Sequence, residues 1–183
     1  MTGQTPRASF TLPLDIRAIR RVVTGTDEQG RSTVISDAVS PHHHVASPEA
    51  SFTDLWVTPS SPPSAAPFED PAKIPLLIEP LDPTGSLCRI AEFLPDPPGA
   101  DPRETFHSTA TVDYVLVLSG TVSCLFDDGS AADLRAGDFL VQRGSVHAWS
   151  NRSREPCVCL FVQLGAADHG AADPGWRPDE SGR

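Results

Sequence analysis

Apolar and polar residues alternate in short runs along most of this chain. A period of two puts alternate side chains on opposite faces of an extended strand. Runs of that kind at 20–24 and 31–36 flank Asp27-Glu28-Gln29-Gly30 and predict a hairpin. Two further strands are predicted at 52–58, with Leu55, Trp56 and Val57, and at 87–93, with Arg89 and Glu92 on opposite faces. From there the predicted strands follow closely, at 105–108, 113–118, 121–126, 131–134, 138–142, 147–150 and 156–164. Ser119-Gly120, Asp127-Asp128-Gly129 and Ala136-Gly137 supply turn residues at the joints. Segments 39–51 and 96–102 read as loop, and 59–71, rich in Pro, Ser and Ala, cannot sustain a ladder. No long helical period and no internal repeat occurs. Regularly spaced short strands predict an all-β sandwich or barrel built once.

Composition narrows the choice of function. Nineteen prolines and 13 glycines in 183 residues argue against a helical bundle. The net charge is −10, with only 14 Lys and Arg and no basic run, which excludes a nucleic-acid surface that displaces phosphate counterions. No stretch has the apolar length of a membrane span. Residues 1–12 lack a charged start followed by an apolar run, so no secretory leader is expected. Cys88, Cys124, Cys157 and Cys159 form no CxxC pair, and reduced thiols in a cytoplasmic protein are the expectation. Cys157 and Cys159, two apart on one predicted strand, share a face and read as small buried apolar residues.

The candidate chemistry is concentrated between 105 and 151. His107-Ser108-Thr109 is followed by Asp113 and, after six more residues, by Gly120; Gly137-Asp138 is followed by Arg143-Gly144, His147 and Asn151. This pattern resembles the two motifs of the cupin superfamily. In the first, a His-x-His pair precedes a glutamate and then a glycine; in the second, a glycine-bounded turn precedes a histidine and an asparagine. The resemblance covers the C-terminal third in detail. It implies an all-β, single-domain cupin or jelly-roll barrel with an N-terminal strand extension. The expected division is a flexible arm at 1–14, an extension with added strands and the Pro-rich loop at 15–101, the barrel core at 102–165 and a disordered tail at 166–183. The resemblance also implies a homodimer paired through edge strands.

Carried over residue by residue, the family's metal ligands become His107, Asp113 and His147, with Thr109 in place of the second histidine and Asp113 in place of the glutamate. Two imidazoles and one carboxylate suit a divalent metal such as Fe, Zn, Ni or Mn. Without metal, the same trio can move a proton on a carbonyl compound. Around it, Trp149 shares the face of His147 and is a candidate pocket wall, Gln142 is placed to reach a ligand or to satisfy backbone at the barrel rim, and Arg89 is placed to pair with an anionic group if it faces inward. Tyr114 points away from Asp113 and reads as packing. His42-His43-His44 reads as an exposed polar loop. No dinucleotide fingerprint, phosphate loop or nucleophile elbow occurs. The expectation is a small enzyme acting on an organic metabolite by cyclisation, dehydration, isomerisation or oxygenation, in the manner of secondary metabolism. The alternative is a non-catalytic small-molecule-binding cupin that has lost its metal site.

Overall fold

The computed structural model describes residues 17–63 and 81–167. The expected arm at 1–14, residues 64–71 of the Pro-rich loop and residues 168–183 of the expected tail lie outside them. Among the described residues no helix is long and apolar enough to cross a membrane.

Among the described residues, eleven strands carry the fold. They are β1 Arg20–Thr26, β2 Ser32–Val39, β3 His43–Ser47, β4 Ala50–Thr58, β5 Ser86–Phe93, β6 Thr111–Ser119, β7 Thr121–Phe126, β8 Ala131–Arg135, β9 Phe139–Gln142, β10 His147–Ser150 and β11 Cys157–Gly165. A six-stranded antiparallel sheet has the order β3-β4-β5-β11-β6-β9, and a three-stranded sheet has the order β10-β7-β8. Among the described residues, β1 and β2 pair only with each other, as the hairpin pattern predicts. The fold is all-β and its antiparallel sheets are of the jelly-roll type, as expected.

Its core follows from the alternation. Val115 and Val117 on β6, Cys157, Cys159 and Phe161 on β11, and Ala91 and Phe93 on β5 form one buried cluster, with Val122 joining from β7. Cross-strand partners share a face, so the pairs Val115↔Phe161, Val117↔Cys159 and Cys159↔Ala91 stack these residues across the inner surface of the large sheet. The two thiols lie 3.7 Å apart and all four cysteines are free. β6 passes to β7 through Gly120, whose φ of 76° suits glycine. A Cβ there would meet the Pro156 carbonyl oxygen at 2.6 Å, so no side chain fits.

Two local expectations are corrected. Residues 105–108 are not a strand. Asp101 caps a 3-10 turn, Pro102–Thr105, by accepting from the Arg103 amide at 3.0 Å, and proline at its start fits that geometry. His107 then joins the barrel through one isolated bridge to His147. The histidine tract is not an exposed loop. His43 and His44 open β3, paired with Thr53 and Phe52, and His42 is buried. Tyr114 points away from Asp113, as expected, and packs on Phe139 at 6.1 Å between ring centroids on the outer face, 41% exposed.

Candidate functional site

The inner face of the large sheet and the 3-10 segment enclose a cavity of about 560 Å³. Such a volume takes a small organic molecule. His107, Asp113, His147, Arg89 and Trp149 all line it, as the sequence expects. Gln142 does not.

The two histidines enter from adjacent backbone. His107 and His147 exchange both backbone hydrogen bonds, at 3.0 and 2.9 Å, so their side chains emerge side by side. Their ring centroids are 4.5 Å apart. The Nδ1 of His107 meets the Thr105 carbonyl at 2.9 Å, and that of His147 meets the Ser145 carbonyl at 2.9 Å. A carbonyl only accepts, so the Thr105 carbonyl takes a hydrogen from His107 Nδ1, while His147 Nδ1 faces both the accepting Ser145 carbonyl and the donating amide nitrogen of Gln142. Burial pushes His147 down to about 4, and the neighbouring His107 adds to this against the opposite pull of the Ser145 carbonyl. His147 is therefore neutral near pH 7.

Asp113 sits deeper, 3% exposed, on β6. Register places it between Gln163 of β11 and Gln142 of β9. Gln163 Nε2 donates to Oδ2 at 3.1 Å, while Oδ1 is buried without a partner. Burial raises the Asp113 pKa above the ordinary carboxylate range, opposed by hydrogen bonds from Thr111 and Gln163 and by the charge of Arg89.

Arg89 faces inward on β5 and is held by Asp54 of β4, with Nε and Nη2 donating to Oδ1 at 2.9 and 2.8 Å. Its guanidinium carbon stands 4.7 Å from the centroid of the Phe52 ring. Aromatic rings lie beside it: Phe161 is the cross-strand partner of Arg89, and Phe93 follows on the same face of β5. Trp149 stacks on Phe93 at 5.5 Å and meets Phe161 edge-on at 5.5 Å, with its edge toward His147 at 6.0 Å. The cavity thus interleaves aromatic rings with imidazole, carboxyl, amide and guanidinium groups.

The metal expectation meets a geometric test here. Among the described residues, no group of three or more His, Cys, Asp or Glu side chains is arranged to hold a metal ion. His107 and His147 converge, while Asp113 is held at Oδ2 by Gln163 and its Oδ1 is buried without a partner. Thr109, at the position of the missing histidine, spends its hydroxyl on Thr111 at 2.8 Å. The residues present do not fit a three-donor centre.

Gln142 is the site residue that needs correcting. It is buried behind His147, where Nε2 donates to the Ser145 carbonyl and Oε1 accepts from Ser145 Oγ, both at 2.9 Å. Conversely, Gln163, Phe52, Phe93 and Phe161 line the cavity without having been singled out from sequence. Gln163 and Phe161 were open to inference, because they continue the Cys157–Cys159 face of β11 in steps of two.

A jelly-roll barrel with a polar and aromatic cavity defines a small-molecule pocket protein. Residues 94–163 match the Cupin_2 family model, described as cupin domain. The chain is 30% identical over 145 residues to a cupin-domain-containing oxidoreductase of Neurospora crassa, covering 78% of this chain and 71% of that protein. It is 27% identical over 172 residues to a cupin-domain-containing oxidoreductase of Aspergillus ruber, covering 91% and 79%. A 71-residue stretch, 39% of this chain and 35% of the other, is 39% identical to phomopsin biosynthesis cluster protein C′ of Diaporthe leptostromiformis. The chain belongs to the cupin family.

Proposed function

We propose that this cupin is an enzyme of secondary metabolism that moves a proton on a small organic carbonyl compound held in the barrel. The observation that carries the reading is the set of groups on one cavity: two imidazoles with ring centroids 4.5 Å apart and a buried carboxyl with a raised pKa. Groups whose environments pull their protonation apart can divide acid and base roles. His147, neutral near pH 7, takes a proton from the carbon beside the carbonyl. Asp113, whose protonated form burial favours, donates to the carbonyl oxygen as the enol forms. Arg89 adds positive charge near that oxygen. Reversal on the other side of the enol gives isomerisation, loss of a β-hydroxyl gives dehydration, and attack of the enol carbon on a second carbonyl gives cyclisation. The aromatic wall of Phe93, Trp149 and Phe161 suits a flat apolar body beside the reacting oxygen. Relatives named as oxidoreductases and as a biosynthesis cluster protein support a role in secondary metabolism.

Those names also favour a second reading, in which the product changes oxidation level. One experiment separates the two. A panel of aryl ketones, with benzylacetone first, is titrated against the fluorescence of Trp149, using Trp149→Phe as control, and then incubated in D2O. The proton-transfer reading expects quenching that saturates, followed by deuterium uptake beside the carbonyl with no change in oxidation level. A product differing by two hydrogens, or no binding across the panel, contradicts it.

A further inference from the structure

We propose that the cavity takes a β-hydroxy ketone and eliminates water from it, with His107 holding the hydroxyl on the same face as the hydrogen that His147 removes. This deepens the proton-transfer reading and rests on it for the base and the acid.

Proton transfer at a single carbonyl leaves His107 without a task. Its ring lines the cavity beside His147, because the two residues exchange both backbone hydrogen bonds, and the ring centroids stand 4.5 Å apart. The Thr105 carbonyl takes the hydrogen of His107 Nδ1 at 2.9 Å. A neutral imidazole then has only Nε2 left, and that nitrogen accepts. Among the described residues it has no hydrogen-bond partner. A ligand that satisfies it must bring a donor, and a hydroxyl is such a donor.

The neighbouring groups say where on the ligand that hydroxyl lies. Asp113 lines the same cavity with Oδ1 buried and unpartnered, ready for a substrate oxygen. Gln142 is the cross-strand partner of Asp113, and its amide lies against the His147 ring. His147 thus neighbours both Asp113, through Gln142, and His107. A β-hydroxy ketone carries its carbonyl oxygen, its acidic α-hydrogen and its hydroxyl in that same order. The other outcomes use the pair less well. Cyclisation needs a donor on the second carbonyl, and His107 Nε2 sets a lone pair against it. Isomerisation gives that lone pair nothing to bind.

The step balances. His147 takes the α-hydrogen as a proton while Asp113 protonates the carbonyl oxygen, and the enol forms. The enol then returns its proton to Asp113, the double bond forms between the α and β carbons, and the β carbon–oxygen bond breaks. The departing hydroxyl takes the proton held on His147, so water leaves and both side chains are restored. One imidazole serves both ends, and His107 keeps the hydroxyl within its reach. Hydrogen and hydroxyl therefore leave from one face, in a syn elimination.

The test uses the acetone–benzaldehyde aldol, which is benzylacetone with a hydroxyl on the β carbon. The wild type is expected to convert it to trans-benzalacetone. With deuterium placed at either α position in turn, early product is expected to lose the label that is syn to the hydroxyl and to keep the other. His107→Leu is expected to slow dehydration roughly tenfold more than it slows deuterium uptake into benzylacetone, the scale of one lost hydrogen bond. His107→Gln, which keeps an acceptor, is expected to recover most of that difference. The label experiment needs no variant and decides the matter even if His107→Leu does not fold. Exchange into benzylacetone without dehydration of the aldol overturns this inference and leaves proton transfer standing, whereas absence of both overturns both. Anti elimination, or an equal effect of His107→Leu on the two reactions, also overturns it.

Discussion

At the residue scale, burial sets the chemistry of His147 and gives it a pH signature. Its folded value of about 4 lies below the ordinary 6.5. As pH falls through that interval the unfolded chain takes up a proton that the folded ring refuses, so stability is complete above 6.5 and is lost on acidification toward 4. The loss is on the order of 3 kcal/mol at about 1.4 kcal/mol per pKa unit. Asp113 works in the opposite sense, because its raised value favours the protonated fold as pH falls. Urea unfolding at neutral and mildly acidic pH isolates the histidine. His147→Asn is expected to lose less stability on acidification than the wild type, and an equal loss in both proteins contradicts the assignment. The donor arrangement yields a second prediction. Deuterium uptake is expected to survive dialysis against a chelator, and its loss with restoration by one divalent ion contradicts metal-free proton transfer. His107, Asp113 and His147 were legible because motif spacing marks them. The place of Gln142 was not, since a glutamine at a strand end serves the pocket or its support equally well until the turn is closed.

At the element scale, the β4–β5 pair is held by more than its ladder. Asp54 is fully buried and meets Arg89, itself 4% exposed, across the register Asp54↔Arg89. Removing one member of a buried ion pair strands the other charge. Asp54→Ala is therefore expected to cost about 3–5 kcal/mol in chemical denaturation. A loss below about 1 kcal/mol, the value of an exposed pair, contradicts this account. The inward face of Arg89 was not readable from β5 alone, because alternation divides residues into two faces without saying which is inside. Its partner on β4 decides. β3 was missed for a similar reason: three consecutive histidines show no apolar alternation, yet His43 bonds Thr53 Oγ1 at 2.9 Å and His44 packs on Phe52 at 5.6 Å between ring centroids. The segment before His107 failed as a strand because Asp-Pro favours a capped 3-10 start.

At the scale of the molecule, most strands and the barrel were visible in the alternation and turn residues, whereas the sheet order depends on contacts distant in sequence. The outer face of the large sheet ends in an exposed apolar patch, with Phe139 59%, Val141 49% and Tyr114 41% exposed on paired strands β6 and β9. Patches of this kind mark interaction surfaces, and β9 is also the sheet edge. We propose that a homodimer forms here. Light scattering is expected to give twice the chain mass for the wild type and a monomer for Phe139→Asp, while a monomeric wild type contradicts it. The cavity opens from the inner face of the same sheet, so proton transfer is expected to persist in that variant.

The most direct test of the central claim is mass spectrometry of benzylacetone incubated in D2O with the wild-type chain and with His147→Asn and Asp113→Asn. The account predicts catalysed deuterium uptake beside the carbonyl that falls about 100-fold or more in each variant while the fold persists. Uptake equal to that of buffer alone, or undiminished uptake in both variants, would contradict it.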